Sequence, residues 1–259
     1  MTPHPYFEGT RTPRVFAHRG LVLPHDEGPA VWENTAAAFA AAHAAGAEYI
    51  ETDCRLTADG DVVLVHDDTL ARLNGDTRPV NTLRTVELER IFASHGGLMT
   101  VRDALASFPG LRFNIDAKTD AVAAPLGRAV AADAHRVLVT SFADARRRVA
   151  LDAALDAGAE IRPAASGGRN TILALRSLTA VRLSPARALA DIDAVQIPER
   201  QGPVKIVTPT VIAAAQRLGV EVHVWTINDA DDMRRLAAAG VDGIVSDRAD
   251  LAIATLHTP

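Results

Sequence analysis

Four stretches of this 259-residue sequence carry apolar runs into groups that are costly to bury: "VFAHRG" at 15–20, "YIETD" at 49–53, "VVLVHDD" at 62–68 and "FNIDAK" at 113–118. Glu51 and Asp53 are two apart, so on a strand their side chains share one face. Two carboxylates so close repel each other unless a metal, a shared proton or an arginine intervenes. A hard cation such as Mg2+ or Ca2+ answers that repulsion with oxygen ligands; the plain alternative is a solvated strand end with two ordinary acids. Asp116 and Lys118 repeat the spacing. They form either an in-strand salt bridge at a rim, or a third metal ligand beside a lysine that meets an anionic substrate as a point charge.

Of the nine histidines, His18 and His66 stand apart. Each ends an apolar run and is followed by a charged residue, Arg19 or Asp67. Imidazole titrates close to neutral pH, so these two are the candidates for proton transfer. His4, His25, His43, His95, His135 and His257 fall in helices, loops or the tail and take no role, and His223 reads as a packed or solvated strand residue. Asp67 either orients the His66 ring or begins a polar loop. Arg19 offers a planar fork of donors suited to phosphate oxygens, and Gly20 lets the backbone pass close to a ligand. In "WENT", Glu33 reads as an outer partner of the metal site, and Asn34 or Thr35 as a helix cap. Trp225 serves as an apolar wall against a small alcohol or choline-like group, or as a plain core residue.

These residues need elements that bring them together. Four times the chain runs from a helical segment through a glycine into an apolar run, at Gly46, Gly158, Gly219 and Gly240, as at helix-to-strand junctions. Thr208 and Pro209 open another helix as cap and first residue. Apolar runs predict strands at 14–18, 48–54, 111–117, 136–141, 159–163, 193–197, 221–226 and 243–246. Strands alternating with helices in this way predict an α/β fold, a (β/α)8 TIM barrel with its site at the C-terminal strand ends. The rival, an open doubly wound sheet, lacks its usual Gly-rich phosphate loop here. Asp59-Gly60 predicts a β-hairpin extension after strand 2, with Ala58 opposite Asp61 and Asp53 opposite His66. "AASGGRN" at 164–170 and "PERQGP" at 198–203 read as mouth loops. With no shift in composition, one catalytic domain over 1–259 is expected, its core about 14–255.

Hydrophobic residues make up 48% of the chain and charged residues 23%, with a net charge of −5 and 4% aromatics, the profile of a globular protein. An acidic balance opposes a phosphate backbone, so no nucleic-acid partner is expected. The alanine-rich run near residue 40 is shorter than the ~20 apolar residues needed to cross a bilayer, so no membrane insertion is expected. No secretory signal is apparent, and the lone Cys54 forms no internal disulfide, so a cytoplasmic location is the default.

Taken in order, "HRG" at 18–20, "ENT" at 33–35, "ETD" at 51–53, "TADGDVVLVHD" at 57–67, "IDAK" at 115–118, "TSF" at 140–142, "VWTIND" at 224–229 and "GVDGIVSD" at 240–247 give a set that resembles the glycerophosphodiester phosphodiesterase family. The resemblance implies a divalent-metal phosphodiesterase that splits glycerophosphodiesters into an alcohol and glycerol 3-phosphate. Carried over by position, it makes Glu51, Asp53 and Asp116 the metal ligands, His18 and His66 the acid/base pair, and Arg19 and Lys118 the phosphate-holding groups. The family more often has glutamate where Asp116 stands. The shorter arm moves the chain toward related sphingomyelinase-D-like barrels, so the alternative is a phospholipase-D-like enzyme acting on lysophospholipids or sphingolipids. A non-catalytic phosphate-binding barrel is a further rival, weakened by a full set of competent side chains; a metal-dependent aldolase or lyase would also use carboxylates and histidines, but on a carbonyl substrate.

Overall fold

The computed structural model describes residues 4–23 and 30–257, and His25 lies outside them. Barrel strands run β1 (Arg14–His18), β2 (Tyr49–Leu56), β3 (Arg112–Ala117), β4 (Val137–Thr140), β5 (Ala164–Gly167), β6 (Ala194–Pro198), β7 (Glu221–Trp225) and β8 (Gly243–Ser246). They pair in parallel in chain order, and β1 pairs with both β8 and β2, which closes the sheet. Outside lie α1 (Ala36–Ala44), α2 (Val101–Ser107), α3 (Asp120–Val130), α4 (Asp144–Asp156), α5 (Arg169–Ala180), α6 (Pro209–Gln216), α7 (Ala230–Ala238) and α8 (Ala249–His257). This is the (β/α)8 barrel expected, and closure excludes the open sheet.

The strand period of two divides each strand between two cores. Val15, Ala17, Ile50, Phe113, Ile115, Val139, Val195, Val222 and Ile244 face the helices and build the larger core with them. The alternate residues Phe16, Tyr49, Leu138, Ala164, Ala194 and Val245 point into the barrel, where Tyr6 and Phe7 join them. The 3-10 turn Pro5–Phe7 thus plugs the end at which the strands begin. On the same inner faces, one or two steps further along, stand His18, Glu51, Asp53 and Asp116. The alternation that seals the bottom therefore delivers charged groups to the top.

The expected punctuation is present. Gly46, Gly158, Gly219 and Gly240 all have positive φ, from 75° to 92°. Thr208 caps α6 through a 3.3 Å bond from Val211 N–H, with Pro209 next. Of the two cap candidates before α1, Thr35 is the cap, its hydroxyl accepting from Ala38 N–H at 3.2 Å.

Three readings need correction. Strand 5 is not 159–163: β5 is Ala164–Gly167, so half of "AASGGRN" is buried strand, and Arg169 begins α5. Space decides this, since a Cβ on Gly167 would come within 2.6 Å of Thr171, and the small residues that fit carry a weak strand signal. Arg162 instead holds Asp193 at 2.6 and 2.9 Å, and Asp193 accepts from Ala165 N–H at 2.8 Å. Within "PERQGP", Arg200–Gln201 pairs antiparallel with Val204–Lys205. The hairpin after β2 exists, with Val62–Leu64 antiparallel to β2, but its register is shifted by one. Cys54 lies opposite Leu64 and Leu56 opposite Val62. Thr57 therefore faces Asp61 across a three-residue loop closed by Gly60 at φ 93°, and Asp53 is not the ladder partner of His66.

Candidate active site

Barrel register assembles the mouth. His18 lies beside Glu51 on the neighbouring strand, and Asp53 beside Asp116. The turn after β1 is tight: Arg19 N–H donates to Glu51 O at 2.7 Å, and Asn34 N–H to Arg19 O at 2.8 Å. Arg19 and Asn34 both sit at left-handed φ, 59° and 60°, and Gly20 passes so close to α1 that a Cβ there would meet Ala38 at 2.8 Å. Non-glycine residues held in this region cost on the order of 1 kcal/mol each, so the neighbouring structure over-determines the turn.

The carboxylates are buried and crowded by cations. Lys118 Nζ lies 2.6 Å from Asp53 and 2.7 Å from Asp116, so the in-strand salt bridge is present and the ammonium reaches both acids. Arg19 Nε is 3.1 Å from Asp53 and its Nη1 donates to Glu33 at 2.9 Å. Glu51 is left with less: burial first, then repulsion from Asp53, pushes its carboxyl up to about 8. Burial also raises Asp53, but Lys118, Arg19 and His66 outweigh it and hold Asp53 below its ordinary value. Asp116 stays raised, because burial exceeds the help from Lys118. Glu51 Oε2 and Asp116 Oδ1 are buried without a hydrogen-bond partner. Among the described residues no three His, Cys, Asp or Glu side chains converge as a ready metal cage.

Each histidine is oriented by a carboxylate through Nδ1. His18 pairs with Asp247 at 2.5 Å, and its Nε2 lies 3.8 Å from Glu51. Asp247 is fixed in turn by Asn228, whose amide donates at 2.7 Å and whose carbonyl accepts from Asp247 N–H at 2.9 Å. Burial lowers the His18 pKa, but the Asp247 hydrogen bond and the charge of Glu51 together raise it. His66 pairs with Asp67 at 2.7 Å. Arg72 then bridges Asp67, at 2.7 Å, to Glu33, at 2.5 Å, so a chain of ion pairs links the His66 side of the mouth to Arg19. The register shift does not remove His66 from the site: strand pairing stops at Leu64, and the His66 charge still acts on Asp53.

His18, His66, Arg19, Lys118, Glu51, Asp53, Asp116, Glu33 and Asp67 are thus joined by contacts or by charge. Trp225 stands farther round, partly buried against the inner cluster and edge-on to Phe142, with ring centres 6.3 Å apart. Sequence reasoning missed Asp247, Asn228, Arg72 and Phe142. Asp247 directly follows β8 as Arg19 follows β1 and Lys118 follows β3, and that position was the available signal. His223 is the packed histidine expected, wholly buried.

A closed barrel whose mouth gathers two oriented histidines, acids and phosphate-compatible cations defines a phosphoester-handling barrel enzyme. Residues 18–251 match the Glycerophosphoryl diester phosphodiesterase family. The chain is 37% identical over 247 residues to the Probable glycerophosphodiester phosphodiesterase 2 of Mycobacterium tuberculosis, covering 92% of this chain and 88% of that one. Its fold is similar to that of a glycerophosphodiester phosphodiesterase of Agrobacterium tumefaciens, with TM-score 0.67, 24% identity and coverage of 93% and 99%. It is also similar to an Oleispira antarctica phosphodiesterase in complex with the product sn-glycerol-3-phosphate, with TM-score 0.70, 23% identity and coverage of 95% and 98%. The chain belongs to the glycerophosphoryl diester phosphodiesterase family, whose members are phosphoric diester hydrolases. Among the described residues no helix is long and apolar enough to cross a membrane.

Proposed function

We propose that this protein hydrolyses glycerophosphodiesters to an alcohol and glycerol 3-phosphate, with His18 and His66 as the acid/base pair. The observation that carries this reading is the pair of histidine–carboxylate contacts at one charged mouth, His18 with Asp247 and His66 with Asp67. Both rings commit Nδ1 to a carboxylate, which leaves Nε2 for the reaction. One ring takes the proton of the attacking hydroxyl, which belongs to water or to the substrate's own glycerol; in the second case a cyclic phosphate forms first and water then opens it to glycerol 3-phosphate. The P–O bond to the alcohol breaks, and the other ring returns a proton to the departing oxygen. Arg19 and Lys118 face the phosphodiester oxygens and stabilise the charge that develops on them.

A divalent cation, Mg2+ or Ca2+, fits the residues present. Glu51 and Asp116 each bury an oxygen with no hydrogen-bond partner, and with Asp53 they form the all-oxygen donor set that hard cations take. When bound, such a cation supplies Lewis-acid stabilisation of phosphoryl oxygens. With the three acids so balanced, Lys118, which holds Asp53 and Asp116 here, would be available to phosphate.

The test is an assay of glycerol 3-phosphate release from several glycerophosphodiesters with Mg2+, Ca2+, Mn2+ or chelator, run beside lysophosphatidylcholine. Metal-dependent release, suppressed by chelator, is the expected result. Release from none of the diesters, or turnover confined to the acylated substrate, overturns the reading.

A further inference from the structure

Phosphate-directed groups occupy the β1–β3 side of the mouth, so the second alcohol of the substrate lies against what the remaining strand ends present. Phe142, just beyond β4, leaves 48% of its surface exposed, and Trp225 at the end of β7 meets it edge-on at 82°. By shape alone this pair is an aromatic wall for a choline-like group. Its charges say otherwise. The Arg169 guanidinium carbon lies 5.0 Å from the Phe142 ring centre, and Lys118 Nζ lies 6.0 Å from it. The electron-rich face that a quaternary ammonium would seek is already engaged by two cations.

Arg169 is held in place by its backbone, its N–H donating to Phe142 O at 3.0 Å. Unlike Arg72, Arg146, Arg162 and Arg235, it has no carboxylate partner among the described residues. Next round the rim, Arg200 and Lys205 of the short strand pair after β6 are exposed, and among the described residues neither has an ion-pair partner. The β4–β6 rim therefore presents surplus positive charge, although the chain as a whole carries −5.

We propose that this sector selects the second alcohol by charge, with Arg169, seated against Phe142, as the specificity-determining residue. It favours glycerophosphodiesters whose alcohol bears a further anionic group, and disfavours those bearing a quaternary ammonium. The inference rests on the phosphodiesterase reading above. A second phosphate meets the planar donor fork of Arg169, whereas a trimethylammonium group meets like charge and no free ring face.

The experiment measures kcat/KM for glycerol 3-phosphate release by the full-length protein, with its best-supporting metal, on a charge series. Bis(glycerophospho)glycerol adds an anion, glycerophosphoglycerol is neutral beyond the diester, and glycerophosphocholine adds a cation. The expected kcat/KM falls in that order, by about tenfold from first to last at low salt, and the spread shrinks as salt screens the rim. Arg169→Gln narrows the spread, chiefly through KM, and Arg169→Glu inverts it. Phe142→Leu, which keeps the charge, preserves the order. Equal or better use of the choline diester, or a spread unmoved by both Arg169 variants, overturns the selection and leaves the phosphodiesterase reading standing. Release from none of the three overturns that reading and the selection with it.

Discussion

The two ends of this barrel are built from the same side-chain types and use them in opposite ways. At the bottom, Arg14 donates from Nε and Nη2 to both oxygens of Glu221, each at 2.8 Å, and His223 Nε2 pairs with Glu221 at 2.9 Å. Tyr49 accepts a further bond from Arg14 at 3.1 Å, and the His223 ring packs 4.6 Å from Phe16 beneath the Tyr6–Phe7 plug. One acid, one arginine and one histidine satisfy each other, with Arg14 and His223 buried and Glu221 partly so. At the top, Glu51, Asp53 and Asp116 exceed the cations beside them, and buried oxygens of Glu51 and Asp116 are left unmatched. A histidine beside a carboxylate is therefore not a catalytic signature by itself; the difference lies in unspent hydrogen-bonding capacity at a place substrate can reach.

Substitution of the histidines breaks the comparison most sharply. His18→Ala and His66→Ala should each lower kcat by about 10²- to 10⁴-fold, with melting temperatures near wild type. His223→Ala should do the reverse. It empties a wholly buried site and leaves Glu221 short of a partner, costing about 2–4 kcal/mol of stability while the folded fraction keeps its turnover. Turnover and thermal melts on the three variants decide the matter; a His223→Ala protein that folds normally but is inactive would erase the distinction between the ends.

Legibility in the sequence follows the same physics. The barrel was readable because apolar runs and helix-closing glycines leave strong local patterns, and β5 was displaced because Ala164–Gly167 is chosen for smallness rather than for strand propensity. Asp116, Lys118, Arg19 and His18 were legible because each sits at or just past a strand end, and Glu51, Asp53 and His66 because a polar group after an apolar run is conspicuous. Asp247 lies within "GVDGIVSD" with nothing local to mark its role, because its partner His18 is 229 residues away and only closure of the barrel brings the two together. The hairpin register failed by one because Asp59-Gly60 was read as a two-residue turn. The type I turn with a left-handed glycine uses three loop residues, and the sequence signals of the two overlap.

Asp247 supplies the intermediate test. Asp247→Asn keeps the size of the side chain and its place beside Asn228, but removes the negative charge that His18 Nδ1 faces at 2.5 Å. The ring then loses both its fixed tautomer and the partner that stabilises its protonated form, and kcat should fall on the order of 10- to 100-fold with little change in KM. Asp247→Glu, which restores charge but displaces it, should recover part of the loss. A fall in KM-weighted rate that comes only from binding would show that Asp247 shapes the mouth rather than orienting His18.

The smallest effects are in stability, and here the two ends should differ in sign. Burial raises the Glu221 carboxyl, but hydrogen bonds from Arg14 and His223 outweigh it and hold its pKa below the ordinary 4.5. A depressed folded pKa means stability that is present above the unfolded value and lost as pH falls through the folded one, so the bottom cluster weakens below about pH 4.5. Glu51 has the opposite displacement, up to about 8. In chelated protein its ionisation opposes folding, so its contribution to stability declines as pH rises from about 4.5 toward 8. One substitution made at each end reads this directly. Glu221→Gln should cost about 1–3 kcal/mol at pH 7 by leaving Arg14 and His223 underpaired, whereas Glu51→Gln should stabilise the chelated protein by on the order of 1 kcal/mol at pH 8 by removing an unmatched charge. Adding Mg2+ or Ca2+ should stabilise wild type more than Glu51→Gln, because the substitution removes one of the oxygens proposed to hold the cation. Denaturant melts at pH 4, 6 and 8, with and without metal, measure all three. If Glu51→Gln destabilised the chelated protein at pH 8 as much as Glu221→Gln does, the carboxylates at the mouth would be structural in the same sense as those at the base.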